Sequence, residues 1–314
     1  MSRPYRGEQT ILNIARMRYE QGLTQSEIAS DLEVSVATVS RHLKKAMDVG
    51  IVEIRVAARA YRDFELERKL ARKFNLESAI VVESQPDHNA TLQLLGRAAA
   101  TALREFLTDG SIVGVSNGET VAAVAESMRK SRSSEINVVT LIGSVGGAEE
   151  PSQTGQICRM LASNTGGKAW ILPLPAVVES RKLAASFRKT QPYTEVFSLV
   201  EKLSVTLVGV GPMIQETSAF KLGHFSKELW DEVLDNKAVG TICGRFFDIN
   251  GSVVTTDIDA RTISVSLDHL AAVPKKIGVA VGSEKSMAIK AAMQGRLINI
   301  LGTDSHTAEV LLES

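Results

Sequence analysis

Apolar residues in the first fifty positions recur at helical spacing, whereas after about residue 78 they gather into short, nearly unbroken runs. That change of period points to two kinds of structure in one chain. Residues 8–20 place Ile11, Ile14 and Ala15, with the stem of Arg18, on one stripe, predicting a helix that ends near Gly22. Thr24, with Glu27 three residues later, forms a capping box, and Ile28, Ala29 and Leu32 supply the buried face of the helix it opens. Ser35 reads as the N-cap of a third helix with Val36, Val39, Leu43 and Met47 inward and Ala37, Thr38, Ser40, Arg41, Lys44 and Lys45 outward. Glu33 occupies the intervening turn, where glycine is frequent, which predicts a strained backbone or a modified turn.

A capped helix, a tight turn and a second helix with a basic exposed face form the pattern of a helix-turn-helix DNA reader. Ala29 is small where the two helix backbones must approach. Residues near the start of a recognition helix enter the major groove, so Thr38, Ser40 and Arg41, with Ser35 at the cap, are candidates for base edges or nearby phosphates. Lys44 and Lys45 suit phosphate. A helical hairpin with a merely solvated basic face is the plainer alternative; the joint occurrence of cap, small residue, apolar triplet and basic face favours DNA. One such module covers one half-site, so at least a homodimer is expected, with half-sites at whole-turn separations of ~34–36 Å. Residues 51–56 alternate like a short strand and suggest a wing, and residues 64–77 read as an amphipathic connector helix carrying Phe64, Leu66, Leu70, Phe74 and Leu76.

The later runs are residues 79–83, 111–116, 136–143, 169–174, 203–211, 276–282 and 297–303, separated by helical stretches. Near-continuous apolar strands alternating with helices predict a mostly parallel sheet covered on both faces, so the chain is expected to be α/β: a helix-turn-helix head over residues 1–60 and a layered α/β body over residues 61–314. Ligands of such sheets bind beyond the carboxyl ends of the strands. At the first glycine-rich exit, Gly114 and Gly118 are expected to turn backbone amides inward, Ser116 and Thr120 to add hydroxyls around Asn117 and Glu119, and a helix N-terminus to favour an anion. This pattern matches neither the P-loop nor the dinucleotide fingerprint, so neither ATP nor NAD is indicated and no cofactor is expected; an ordinary strand-to-helix turn is the competing reading. At the second exit Gly282 precedes Lys285, a cation in a first helical turn, which makes more sense facing an anion than facing nothing, unless it is simply solvated. Asp248, in the turn signal Asp248–Gly251, suits sugar hydroxyls or the capping of its own turn.

Charge sharpens this division. The chain has 36 Lys and Arg against 36 Asp and Glu, but residues 1–62 hold ten basic against seven acidic residues, a modestly basic head on a mildly acidic body. Cys158 and Cys243 have no metal-type spacing, so buried free thiols in a reducing compartment are expected and a metal site is not. The N-terminal stretch lacks a signal peptide's apolar core, and no uncharged apolar run reaches the ~18 residues of a membrane helix, so a cytoplasmic protein is expected.

Taken together, residues 23–47, 114–120, 223–254 and 279–312 resemble bacterial transcriptional regulators of the SorC/DeoR type with a sugar-binding effector domain. The resemblance implies a repressor or activator of a carbohydrate or polyol operon, with a body similar to phosphosugar isomerase folds that binds a sugar phosphate or polyol. It implies that Ser116, Gly118, Thr120 and Lys285 hold phosphate, that Asp248 and Gln153 contact sugar hydroxyls, and that Tyr19 and Gln25 face operator DNA. Two departures stand out. Ser144 and Val145 precede Gly146 and Gly147 where relatives carry Arg or Lys, and Val281 replaces a glycine, which is expected to narrow the approach to the pocket. The alternative class is an isomerase or deaminase fused to a DNA head, but Glu119, His224 and Asp248 form no recognisable acid–base pair, so no enzyme is expected.

Overall fold

The computed structural model describes residues 5–52, 61–130, 135–145, 151–213 and 227–313. The chain divides into two compact units, Met1–Ala57 and Ala58–Ser314. In the first, helices α1 (Tyr5–Tyr19), α2 (Gln25–Asp31) and α3 (Val36–Asp48) enclose Ile14, Ile28, Ala29, Val39 and Leu43. The capping box forms as expected: the Glu27 backbone N–H donates to Thr24 Oγ1 (3.2 Å), and the Thr24 N–H to Glu27 Oε2 (2.7 Å). Ser35 caps α3, accepting from the Thr38 N–H at 3.1 Å. The inward face of α3 is Val39, Leu43 and Ala46, whereas Val36 and Met47 are exposed. The spacing of 39, 43 and 46 keeps a narrower stripe than the four predicted positions, because 36 and 47 fall at its two margins. Residues 53–56 of the predicted wing lie outside the described residues.

The second unit begins with α4 (Phe64–Lys73), capped by Asp63, shorter than the predicted connector. Its strands are β1 (Ser78–Val82), β2 (Ile112–Val115), β3 (Asn137–Thr140), β4 (Lys168–Trp170), β5 (Val205–Gly209), then the short β6 (Gly211–Pro212), β7 (Gly240–Ile242), β8 (Arg245–Phe247), β9 (Lys275–Val279) and β10 (Ile300–Asp304). The seven apolar runs of the sequence supply the seven strands of one parallel sheet, ordered β1-β10-β9-β5-β2-β3-β4. Between them lie α5 (His88–Glu105), α6 (Glu119–Ser127), α7 (Thr154–Thr165), α8 (Arg181–Arg188), α9 (Tyr193–Val200), α10 (Lys227–Asp235), α11 (Asp257–Arg261), α12 (Leu267–Ala272), α13 (Ser286–Gln294) and α14 (Ser305–Glu313).

Alternation along the strands sends Ile80, Val113, Val138, Leu207 and Ile277 to one face, under α5, α6 and α7, and Val81, Val139, Val208 and Leu301 to the other. Both faces are buried, which is why the runs look continuous rather than alternating. Gly114 has a packing task inside β2, because a Cβ there would stand 2.5 Å from Leu141 Cδ2. It does not belong to the loop beyond the strand, contrary to the expectation for its amide. Strands β6, β7 and β8 form a small antiparallel sheet that the periodicity did not announce. Its two-residue link, Cys243 (φ 52°) and Gly244 (φ 70°), has the doubly positive φ of a type I′ hairpin.

Candidate functional site

In the first unit, α3 presents Ser40, Arg41, Lys44 and Lys45 to solvent, opposite the buried Val39, Leu43 and Ala46. Thr38 is half-buried, and its hydroxyl pairs with that of Ser35 at 2.8 Å, so both first serve the helix start. Tyr19 closes α1 with 46% exposure and Gln25 opens α2, half-buried. Glu33 adopts φ 50°, the left-handed turn expected at that position.

In the second unit the sheet order passes from β2 through β3 to β4 on one side, and from β2 through β5, β9 and β10 to β1 on the other. The order therefore reverses between β2 and β5, the place where open α/β sheets bind ligands. A buried serine marks this point. Ser116 Oγ accepts from the Gly209 N–H at 3.0 Å and donates to the Asn117 carbonyl at 3.0 Å. Gly118, at φ 125°, is the N-cap of α6 and makes no side-chain cap; its N–H donates to the Ser152 carbonyl at 2.9 Å. Gln153, the N-cap of α7, clamps Val145, accepting from its N–H at 3.3 Å and donating to its carbonyl. Helix geometry leaves the first-turn N–H groups of α6 and α7 without intrahelical acceptors, so both N-termini favour an anion.

Two strands away from β2, Gly282 (φ 113°) starts a single 3₁₀ turn, Ser283–Lys285, ahead of α13. Lys285 Nζ donates to the Val281 carbonyl at 2.8 Å. Burial pushes the Lys285 ammonium below lysine's ordinary value, and the charges of Glu284, Glu119 and Asp304 oppose that shift without reversing it. Glu119 is exposed at the start of α6, and its exit, after β2, lies across β5 from the one after β9. Val281 does not narrow an approach: its side chain is buried in the sheet core.

Asp248 is placed elsewhere. Its Oδ1 accepts from the Asn250 and Ser252 N–H groups, both at 2.9 Å, which is the turn-capping alternative. The same turn seats Gly251 against Gly295 and Ala291, at the C-terminal end of α13, whereas Lys285 precedes its N-terminal end. Nine helical residues, about 13 Å, separate those ends. Gly146, Gly147 and His224 lie outside the described residues.

Asp304 lies in the 279–312 stretch of the resemblance, which implies no role for it. Its carboxylate, 4% exposed, accepts from Ser84 Oγ (2.8 Å), Thr307 Oγ1 (2.5 Å), the Thr307 N–H (3.3 Å) and the Gly282 N–H (3.2 Å). Burial pulls its pKa upward, but the hydrogen bonds from Thr307, Ser84 and Gly282 prevail and hold it below the 3.8 of an unperturbed aspartate. A cleft of about 320 Å³ opens on the other face, lined by Thr140, Arg188, Phe197, Val265 and His269 among others, and contains none of the expected effector residues. Among the described residues no cluster of His, Cys, Asp and Glu fits a metal ion, and no helix is long and apolar enough to cross a membrane.

Residues 58–313 match the family model of the Sugar-bind sugar-binding domain, and residues 9–49 match that of sigma-70 region 4. The chain belongs to the SorC/DeoR-type, sugar-binding transcriptional regulators. It is 32% identical over 307 residues to the deoxyribonucleoside regulator of Bacillus subtilis, covering 97% of both chains. It is 31% identical to the sorbitol operon regulator of Klebsiella pneumoniae, covering 96% of this chain and 97% of that one. The crystal structure of the full-length Klebsiella pneumoniae sorbitol operon regulator superposes with a TM-score of 0.82 at 30% identity, over 99% of this chain and 100% of that one. The chain is therefore a transcriptional regulator with a helix-turn-helix DNA-binding region and a sugar-binding domain, in keeping with the α/β expectation.

Proposed function

We propose that residues 1–60 read operator DNA of a carbohydrate or polyol operon, and that residues 61–314 bind a sugar phosphate or polyol and assemble the chain into a homodimer or homotetramer. Thr38, Ser40 and Arg41 contact base edges; Lys44, Lys45, Tyr19 and Gln25 contact the backbone. The effector sits over Ser116–Thr120, with Gln153 shaping the neighbouring loop and Lys285 supplying the cation. The observation that carries this reading is the Ser116–Gly209 hydrogen bond at the reversal of strand order, beside the N-terminus of α6. Ligand binding shifts the population of effector-domain arrangements and with it operator affinity. The chain binds its effector in the cytoplasm without turning it over.

A sugar phosphate and a polyol differ in charge, and Lys285 is the cation that responds to that difference. Thermal-shift titration of the full chain with phosphorylated and free sugars and polyols separates the two. A ligand at 100 times its Kd adds about 2.7 kcal/mol of stability. For a sugar phosphate, Lys285→Ala removes the shift; for a neutral polyol, it largely keeps it. Arg41→Ala lowers operator affinity by about 1–3 kcal/mol at fixed salt, measured by anisotropy. Turnover of a sugar phosphate above the rate without protein would overturn the proposal.

A further inference from the structure

We propose that Asp304 is a positioning residue for Lys285, acting through the peptide unit between Val281 and Gly282. The inference rests on the reading of the strand exits given above and adds a residue to it. The N–H of this peptide, on Gly282, donates to Asp304 Oδ1 at 3.2 Å and to Thr307 Oγ1 at 3.1 Å. The carbonyl of the same peptide, on Val281, accepts from Lys285 Nζ at 2.8 Å. A trans peptide is planar, with its N–H and C=O pointing in opposite directions, so fixing one end fixes the other. The restraint is needed because Gly282, at φ 113°, has no Cβ to narrow its own backbone choices. Asp304 itself cannot drift. It is buried, and Ser84 Oγ, beyond the end of β1, and both donors of Thr307 hold it from other sides.

Asp304 also caps α14 through the Thr307 N–H, and capping alone would explain its buried place without any effect on Lys285. The two roles use different oxygens. Oδ2 meets the helix N–H at 3.3 Å, whereas Oδ1 is turned to Gly282. A serine keeps the capping hydroxyl but is too short to span to a second donor, so Asp304→Ser preserves the cap and releases the peptide.

The test uses the full chain and needs no knowledge of the effector. Acetic anhydride labelling, read peptide by peptide by mass spectrometry, compares Lys285 with the exposed Lys182 as internal control. With the Val281 carbonyl no longer held in place, Lys285 labels about fivefold faster relative to Lys182 in Asp304→Ser. Thr307→Val, which removes one donor to Asp304 and one acceptor from Gly282, shifts the ratio in the same direction and serves if the serine variant does not fold. A parallel titration with inorganic phosphate shows weaker binding in both variants. Unchanged Lys285 labelling in folded variants would sink the positioning role, whatever the chain binds. If the wild type ignores phosphate, sugar phosphates and polyols while the labelling ratio still rises, the effector reading fails and the positioning role stands.

Discussion

Glu33 shows how a single residue can be wrong for its backbone and still be tolerated. At φ 50° it occupies the left-handed region, which costs an ordinary residue roughly 1–2 kcal/mol. Glycine removes that cost but adds about 0.5–1 kcal/mol of unfolded-state freedom. Glu33→Gly is therefore expected to raise the stability of the DNA-binding unit by up to about 1 kcal/mol, seen as a higher denaturant midpoint with an unchanged slope. Operator affinity should stay the same, since Glu33 precedes the reading face. At this scale the sequence was readable wherever the chemistry is local. The Thr24–Glu27 box and the Ser35 cap follow from spacing alone, and Asp248 satisfied the nearer of its two readings because Asn250 and Ser252 are within its own turn.

Elements add what no residue shows by itself. The loop after β2 is held by contacts to two other elements: Ser116 Oγ to the end of β5, and the Gly118 N–H to the segment before α7. Ser116→Ala leaves the Gly209 N–H unsatisfied at a part-buried site and is expected to cost about 1–3 kcal/mol in chemical denaturation, together with weaker effector binding. A loss of binding with no loss of stability would mean that the hydroxyl serves the ligand rather than the loop. The strand pattern gave all seven strands of the parallel sheet, because burial on both faces leaves an uninterrupted apolar signature. The antiparallel β6–β8 sheet escaped notice because strands of two or three residues are too short to show a period.

For the molecule as a whole, the parallel sheet separates two buried layers, and each holds one cysteine: Cys158 under the β3 face and Cys243 in the opposite cluster. Both are free, and burial pushes both thiols up to about 12. Since the two layers share one sheet, they should unfold together. Native protein is expected to resist iodoacetamide, and rising denaturant should label both cysteines along one transition. Labelling of Cys243 well before Cys158 would show that the small antiparallel sheet opens on its own.

Taken by itself, the sequence determined whatever depends on neighbours along the chain: helix caps, the basic outer face of α3, the seven apolar strands and the glycines that open the two exits. Those features follow from hydrogen-bond reach and side-chain period, both of which are local. Only the tertiary structure decided how the exits are arranged along the sheet. Strand order set β2 beside β5 and two strands from β9, while the length of α13 put Asp248 at its far end. It also gave Asp304 its partners, Ser84 and Gly282, which lie 220 and 22 residues away along the chain and adjoin it only because β1, β9 and β10 are neighbours in the sheet.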